Sequence, residues 1–159
     1  MMNKFIFVSY ILICSQCVFA TDKEIDWPNG SIPFDIIQEA NSNTGNITVL
    51  KGSIALDDIE LEDVQNSLAI LCEKGQSLNN QLIHIISDQR YFEDEDLKSA
   101  LLANPSDPMD ASGIEHRKWQ EFAEEGWVAT YQPETRWLVL RPWSGHDTKS
   151  VQLGKQWCK

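Results

Sequence analysis

The pattern of apolar and polar positions predicts its clearest element, a helix, after residue 57. Four apolar residues recur there at the spacing of one helical face: Leu61, Val64, Leu68 and Leu71. Acidic residues fill the first turns, where the helix dipole favours negative charge. Asp57 or Asp58 would cap this helix, Lys74 suits its last turn and Gly75 would end it. One face of the predicted helix is therefore buried.

Two shorter helices are predicted further along the chain. The acidic run from Glu93 opens the first, which extends to Ala103 and stops at a proline. Ser112 and Glu115 have the spacing of a capping box and open the second, which Gly126 ends. Trp119 and Phe122 would face inward from that second helix.

The last third of the chain changes to the pattern of β-strands. Residues 127–132 and 136–143 are predicted strands joined by the hairpin loop 133–135, and residues 151–157 would return as a third. Earlier in the chain, residues 47–50 and 53–56 fit a short hairpin.

Two earlier segments are less regular. Residues 21–45 have the turn residues of an irregular arm, and the apolar run 82–86 fits either a strand or a buried helical turn. Taken together, the pattern predicts an α+β fold with about three helices packed on a small antiparallel sheet. The C-terminal third would supply most of that sheet.

Residues 1–20 have the order of charge, apolar core and small-residue exit that is typical of a signal peptide. Lys4 precedes an uncharged apolar run, and Val18-Phe19-Ala20 places small residues where a signal peptidase cleaves. The alternative is an uncleaved anchor, for which the run is short because a bilayer core takes about 20 residues. We therefore expect a single small acidic domain, residues 21–159, in the periplasm or outside the cell, with no membrane span after cleavage.

Cleavage would leave two of the four cysteines. Cys14 and Cys17 leave with the signal, and Cys72 and Cys158 remain. In an oxidising compartment these two should form a disulfide; the alternative is two free thiols. The bond would tie the predicted helix after residue 57 to the end of the chain.

The charge is strongly negative and unevenly spread. Without Lys4, 24 acidic residues face 12 lysines and arginines, a net charge of −12. Residues 21–125 hold 22 acids and 7 bases, whereas residues 126–159 hold 2 acids and 5 bases. An acidic body argues against nucleic acid and anionic lipid as partners, and it favours a basic protein partner.

The C-terminal stretch offers a candidate binding surface. Aromatic and basic residues cluster there: Trp137, Arg141, Trp143 and His146. Tryptophan and arginine are favoured at binding hot spots, and indoles also stack on sugar rings. The alternative is that the tryptophans form the core of the hairpin with the arginines packed over them.

The sequence provides no catalytic residues, metal site or cofactor site that we can assign. The three histidines, His84, His116 and His146, are far apart in sequence, whereas zinc ligands usually come in close pairs. The acidic run at residues 93–96 lacks the spacing of a calcium loop. His146-Asp147 has no recognisable nucleophile beside it.

Two resemblances bear on function. Trp27-Pro28-Asn29-Gly30-Ser31-Ile32-Pro33-Phe34 resembles the opening of astacin-type metalloprotease domains over 8 residues, but the zinc helix of that family is absent, so its activity does not carry over. The overall profile of a small, acidic, exported, disulfide-closed chain resembles immunity proteins that neutralise toxins delivered between bacteria.

Three hypotheses follow. The first is an exported binding or inhibitory protein, of the immunity type, that neutralises a basic toxin or enzyme. The second is a small secreted hydrolase of cell-wall glycans, with carboxylates near Trp119 or Trp143. The third is a structural subunit of an envelope assembly.

Overall fold

The computed structural model describes residues 25–42, 45–53, 55–103, 114–143 and 148–158. The predicted signal peptide, residues 1–20, lies outside the described residues, as do Ser112 of the expected capping box and His146.

The described residues form six strands and four α-helices. The strands are β1 (Phe34–Ser42), β2 (Gly45–Gly52), β3 (Gln81–Ile86), β4 (Trp127–Gln132), β5 (Trp137–Leu140) and β6 (Lys149–Gln152). The helices are α1 (Leu61–Glu73), α2 (Arg90–Glu93), α3 (Glu95–Ala103) and α4 (His116–Glu121). A 3₁₀ turn, Leu56–Asp58, precedes α1, and a π-helical turn, Phe122–Gly126, follows α4.

All six strands lie in one mixed sheet in the order β1 to β6. Strands β2 and β3 are parallel and are connected by α1, and every other neighbouring pair is antiparallel. The expected α+β class is therefore correct in outline. The prediction of a small antiparallel sheet made mainly by the C-terminal third is wrong, because β1, β2 and β3 come from the first half of the chain.

Helix α1 covers one face of the sheet. Its apolar stripe packs against alternate residues of the strands, and we call this layer the first core: Ile32, Phe34, Leu50, Ile59, Val64, Leu68, Leu71, Cys72, Leu78, Ile83, Ile85, Val128, Ala129, Tyr131, Leu138, Leu140, Leu153 and Cys158. The predicted helical face is thus confirmed. Burial of that many apolar side chains is the main stabilising term for this layer.

The other three helices pack on the opposite face. They form a second core with the side chains of the strands that point away from α1: Ile47, Val49, Leu82, Ile86, Tyr91, Phe92, Leu97, Ala100, Leu101, Trp119, Phe122 and Trp127. Four described helices on two faces replace the expected three. Because β2 and β3 are covered on both sides, their continuous apolar runs are those of buried parallel strands.

The start of α1 differs from the predicted start by a few residues. Glu60 and Asp63 form a reciprocal capping box, and Asp57 and Asp58 lie before it in the 3₁₀ turn. The expected caps at Asp57 or Asp58 are therefore wrong, although the acidic first turn and the end near Gly75 are as predicted.

Two of the strand predictions are corrected by β1. Strand β2 pairs with β1, not with residues 53–56, and the expected irregular arm contains β1 itself. A bulge between Ile36 and Gln38 interrupts the alternation of β1, which hides the strand pattern in the sequence. The ambiguous run 82–86 forms the strand β3.

Cys72 and Cys158 form a disulfide, as predicted. Both half-cystines are buried in the first core, and the backbone N–H of Leu78 donates to the Cys158 Sγ at 3.3 Å. The bond joins the last turn of α1 to the end of the chain across a separation of 86 residues.

Candidate functional site

The sheet has one point where consecutive connections leave to opposite faces. After β2 the chain runs to α1 over the first core, and after β3 it runs to α2 over the second core. Such a divergence at the carboxyl ends of neighbouring parallel strands leaves a crevice, which is the usual ligand position in open α/β sheets. The topology alone therefore predicts a ligand site at the carboxyl ends of β2 and β3.

A cleft of about 440 Å³ lies at this edge, and we call it the carboxyl-edge cleft. Three separate stretches of chain line it: the residues after β2, the residues after β3 and the residues before β4. The lining side chains are Ser53, Ala55, Leu56, Asp57, Ser87, Asp88, Arg90, Glu124 and Glu125. Four carboxylates and one guanidinium face the same space.

The π-helical turn brings two of the carboxylates to the rim. The backbone N–H of Ser87 donates to the Gly126 carbonyl at 2.9 Å, and the Ser87 hydroxyl donates to the Glu125 carbonyl at 3.0 Å. A Cβ at Gly126 would lie 2.8 Å from the rings of Phe122 and Tyr91. The backbone can therefore pass this close to the two rings only because residue 126 is glycine. Inserted π-turns of this kind occur frequently at functional sites.

The cleft keeps a negative balance because its single cation is shared. The Arg90 guanidinium lies 3.8 Å from Asp88 and 4.0 Å from Glu125, and it donates to the Tyr91 hydroxyl at 2.8 Å. Asp57 has no ion-pair partner among the described residues, and Glu124 accepts a hydrogen bond only from the neutral amide of Gln120. Arg90 and the four carboxylates are exposed, so the ion pairs are weak and the negative field reaches the solvent.

The acidic surface continues past the cleft to the start of α1. Glu60, Glu62 and Asp63 lie there, and Lys149 of β6 binds Glu60. That lysine holds the pKa of the Glu60 carboxyl below its usual value, first by hydrogen bonding and then by its charge. Part of the basic C-terminal stretch is thus used within the molecule.

The structure separates the residues of the sequence-predicted binding surface. Trp137 and Trp143 are 40% and 46% exposed and are the exposed large hydrophobic residues of the described chain. They lie at opposite ends of β5, and Trp143 meets the buried Trp119 ring edge-on. Arg141 donates from Nη2 to the Leu56 carbonyl and so holds the wall of the cleft. His146 lies outside the described residues.

The other described histidines lie apart from the cleft. His84 is fully buried on β3, where its Nδ1 is 2.8 Å from the Thr130 hydroxyl and its Nε2 has no hydrogen-bond partner. Burial lowers the pKa of His84 to about 4. His116 is exposed at the start of α4. In the described ranges no group of three or more histidine, cysteine or acidic side chains is arranged to hold a metal ion.

Sequence reasoning missed the cleft residues Asp88 and Arg90, and it considered Glu124 and Glu125, among the carboxylates near Trp119, only for the hydrolase hypothesis. The available signal was a polar Ser-Asp pair directly after the apolar run 82–86. It becomes informative only when residues 47–50 and 82–86 are known to be parallel neighbours.

Comparison with known proteins finds no relative, because no family model, no curated protein and no solved structure matches the chain. Among the helices of the described residues, none has the length and apolar character needed to cross a bilayer.

Proposed function

We propose that this chain is an exported binding protein that neutralises a basic protein partner, as immunity proteins neutralise toxins, and that the partner docks at the carboxyl-edge cleft. The observation that carries the proposal is the cleft itself, in which four exposed carboxylates and one shared guanidinium surround about 440 Å³. A lysine or arginine side chain of the partner would enter this space and meet carboxylate oxygens from three stretches of chain.

Electrostatics supports a protein partner of opposite charge. The acidic first turn of α1 adjoins the cleft and extends the negative surface. Complementary charge of this kind raises association rates toward about 10⁸ M⁻¹s⁻¹ at low salt, and the effect falls as salt screens it. Rapid capture of a harmful enzyme is the property that an inhibitor needs.

Export is supported by the disulfide and by the N-terminal pattern. A buried bond between Cys72 and Cys158 fits an oxidising compartment. The leader-like residues 1–20 fit the same destination.

Binding is favoured over turnover by the ionisable groups. A hydrolase of glycans needs a carboxyl group whose pKa is raised so that it acts as an acid. Among the described residues, the carboxyls with a shifted pKa are Glu60 and Asp94, and lysine partners lower the pKa of both. His84 is fully buried beside the second core, so a substrate bound at the surface would not contact it.

The test compares two triple variants of the protein without residues 1–20. Asp57→Asn/Glu124→Gln/Glu125→Gln removes three charges from the cleft. Glu39→Gln/Glu73→Gln/Glu134→Gln removes three exposed charges from the opposite edge of the sheet and is the matched control. Immobilised wild type and both variants are used to capture partners from the native envelope or medium, and the retained protein is purified for kinetics.

We expect wild type and control to retain one basic protein, and the cleft variant to bind it with an association rate reduced by about tenfold or more at low salt. The proposal is wrong if the retained protein is acidic or if both triple variants bind it equally. Turnover of peptidoglycan by the purified protein, with no partner captured, would favour the hydrolase hypothesis instead.

A further inference from the structure

Within the part of the chain that the structure describes, helices cover only part of the sheet face opposite α1. Helices α2, α3 and α4 pack over β2, β3 and the start of β4, whereas β5 and β6 extend beyond the second core. The side chains on this part of the face form two rows across the strands, which are Gln132–Trp137–Gln152 and Thr130–Val139–Ser150.

The six side chains of these two rows are uncharged, which is unusual in a chain with a net charge of −11, and the adjoining hairpin loop carries one acid and one base, Glu134 and Arg136. The nearest cation on β6, Lys149, pairs across from Leu140 of the first core and binds Glu60 on the α1 side. Of the two rows, only Thr130 is buried, and its hydroxyl is already bonded to His84. The surface offered to solvent is an indole, two amides, a hydroxyl and part of the Val139 side chain.

We propose that the row Gln132–Trp137–Gln152 binds a neutral oligosaccharide. Trp137 is 40% exposed in the middle of the row and offers an apolar ring face to the C–H face of a sugar. An amide from each neighbouring strand lies in register beside it, so hydroxyl groups at both edges of the stacked sugar meet a hydrogen-bond donor or acceptor.

The flanking amides are already oriented. The Gln152 amide nitrogen donates to the Thr135 carbonyl at 3.0 Å, which leaves its carbonyl oxygen directed elsewhere. The Thr135 hydroxyl donates to the Gln132 side-chain oxygen Oε1 at 3.4 Å, so the hairpin loop contacts both side-chain amides. Groups held in place before binding lose less conformational entropy when a ligand arrives.

Charge distinguishes this occupant from two others. A basic protein would find no carboxylate on the row, and its complement lies at the carboxyl-edge cleft. A second copy of the chain would bring another strongly negative body to the same place, and the two would repel. An uncharged ligand with many hydroxyl groups meets neither obstacle.

The test uses Trp143 as an internal control, because it is the other exposed tryptophan and its exposure is similar. Titration calorimetry with cellotetraose, maltotetraose and tetra-N-acetylchitotetraose is run on the full mature protein, Trp137→Ala, Trp143→Ala and Gln132→Ala. Circular dichroism verifies that each variant is folded, and sedimentation measures self-association.

We expect one of the three oligosaccharides to bind, with an affinity unchanged between low and high salt. Trp137→Ala should weaken binding by about tenfold or more, Gln132→Ala by a smaller factor, and Trp143→Ala by less than about twofold. The proposal is overturned if none of the three binds, if Trp143→Ala costs as much as Trp137→Ala, or if Trp137→Ala instead abolishes self-association. Salt independence keeps this result separate from binding at the carboxyl-edge cleft.

Discussion

Acidification from pH 7 to pH 4 should destabilise the protein through one side chain, His84. Its imidazole is fully buried beside Trp127 of the second core. The His84 Nδ1 lies 2.8 Å from the Thr130 hydroxyl, and the ring centroids of His84 and Trp127 are 5.8 Å apart. Among the described residues no carboxylate is hydrogen-bonded to it, and its Nε2 has no hydrogen-bond partner, so a proton added there would have no acceptor. Protonation would therefore place a positive charge without a counter-charge beside the second core.

The magnitude follows from the shift in pKa. Burial lowers the pKa of His84 from 6.5 to about 4 in the folded protein, while the unfolded chain keeps the ordinary value. Between these values the unfolded state binds the extra proton, so the free energy of unfolding falls as the pH falls. At about 1.4 kcal/mol for each pH unit, the loss reaches about 3 kcal/mol near pH 4 and levels off within about one pH unit below it.

The assay is urea unfolding at several pH values between 7 and 4, with wild type and the double variant His84→Leu/Thr130→Val. The double variant removes both members of the hydrogen bond, so neither of them is left as a buried group without its partner. Carboxylates such as Glu60 and Asp94 titrate in both proteins, and their contribution cancels in the difference. His116→Gln replaces an exposed histidine and is the control for the loss of a histidine as such.

We expect the double variant to gain stability relative to wild type by about 3 kcal/mol as the pH falls to 4, and His116→Gln to follow wild type. A difference between wild type and the double variant that stays constant within about 1 kcal/mol over this range would refute the reasoning. It would mean that His84 reaches solvent or is protonated without cost.

Two further predictions concern stability. Cys72→Ala/Cys158→Ala should lower the free energy of unfolding by about 4–5 kcal/mol on the chain-entropy model, because the bond closes a separation of 86 residues; equal urea midpoints with and without the bond would contradict this. Gly126→Ala should cost about 1–3 kcal/mol because its Cβ would lie 2.8 Å from two aromatic rings, whereas Gly154→Ala, with nothing within 4 Å, should stay within about 0.5 kcal/mol. Thermal melting of both glycine variants checks the contrast, and equal costs would count against it.

Local features of the fold were predictable because neighbouring residues decide them. The stripe of Leu61, Val64 and Leu68 fixed α1 and its buried face, since the helical period places these side chains together whatever packs on them. The pairing of Cys72 with Cys158 followed from arithmetic, because only two cysteines remain after residue 20.

The mixed sheet was not predictable in the same way. A bulge in β1 breaks its alternation, and the apolar runs of β2 and β3 fit more than one element. Their parallel pairing depends on α1 crossing back over the sheet, which is a relation between segments that no short window contains.

The sequence by itself determined the charge of this protein, its closing disulfide and the helix that carries one half-cystine. Only the tertiary structure decided where that charge acts. Asp57, Asp88 and Glu124 come from three stretches of chain that meet because β2 and β3 send their connections to opposite faces. It also decided that Trp137 lies between two uncharged amides in register, while Trp143 contacts Trp119 edge-on. The physical reason is that a periodic pattern reports only on residues close in sequence. A site depends on the order of the strands in the sheet and on the face of the sheet that each helix covers.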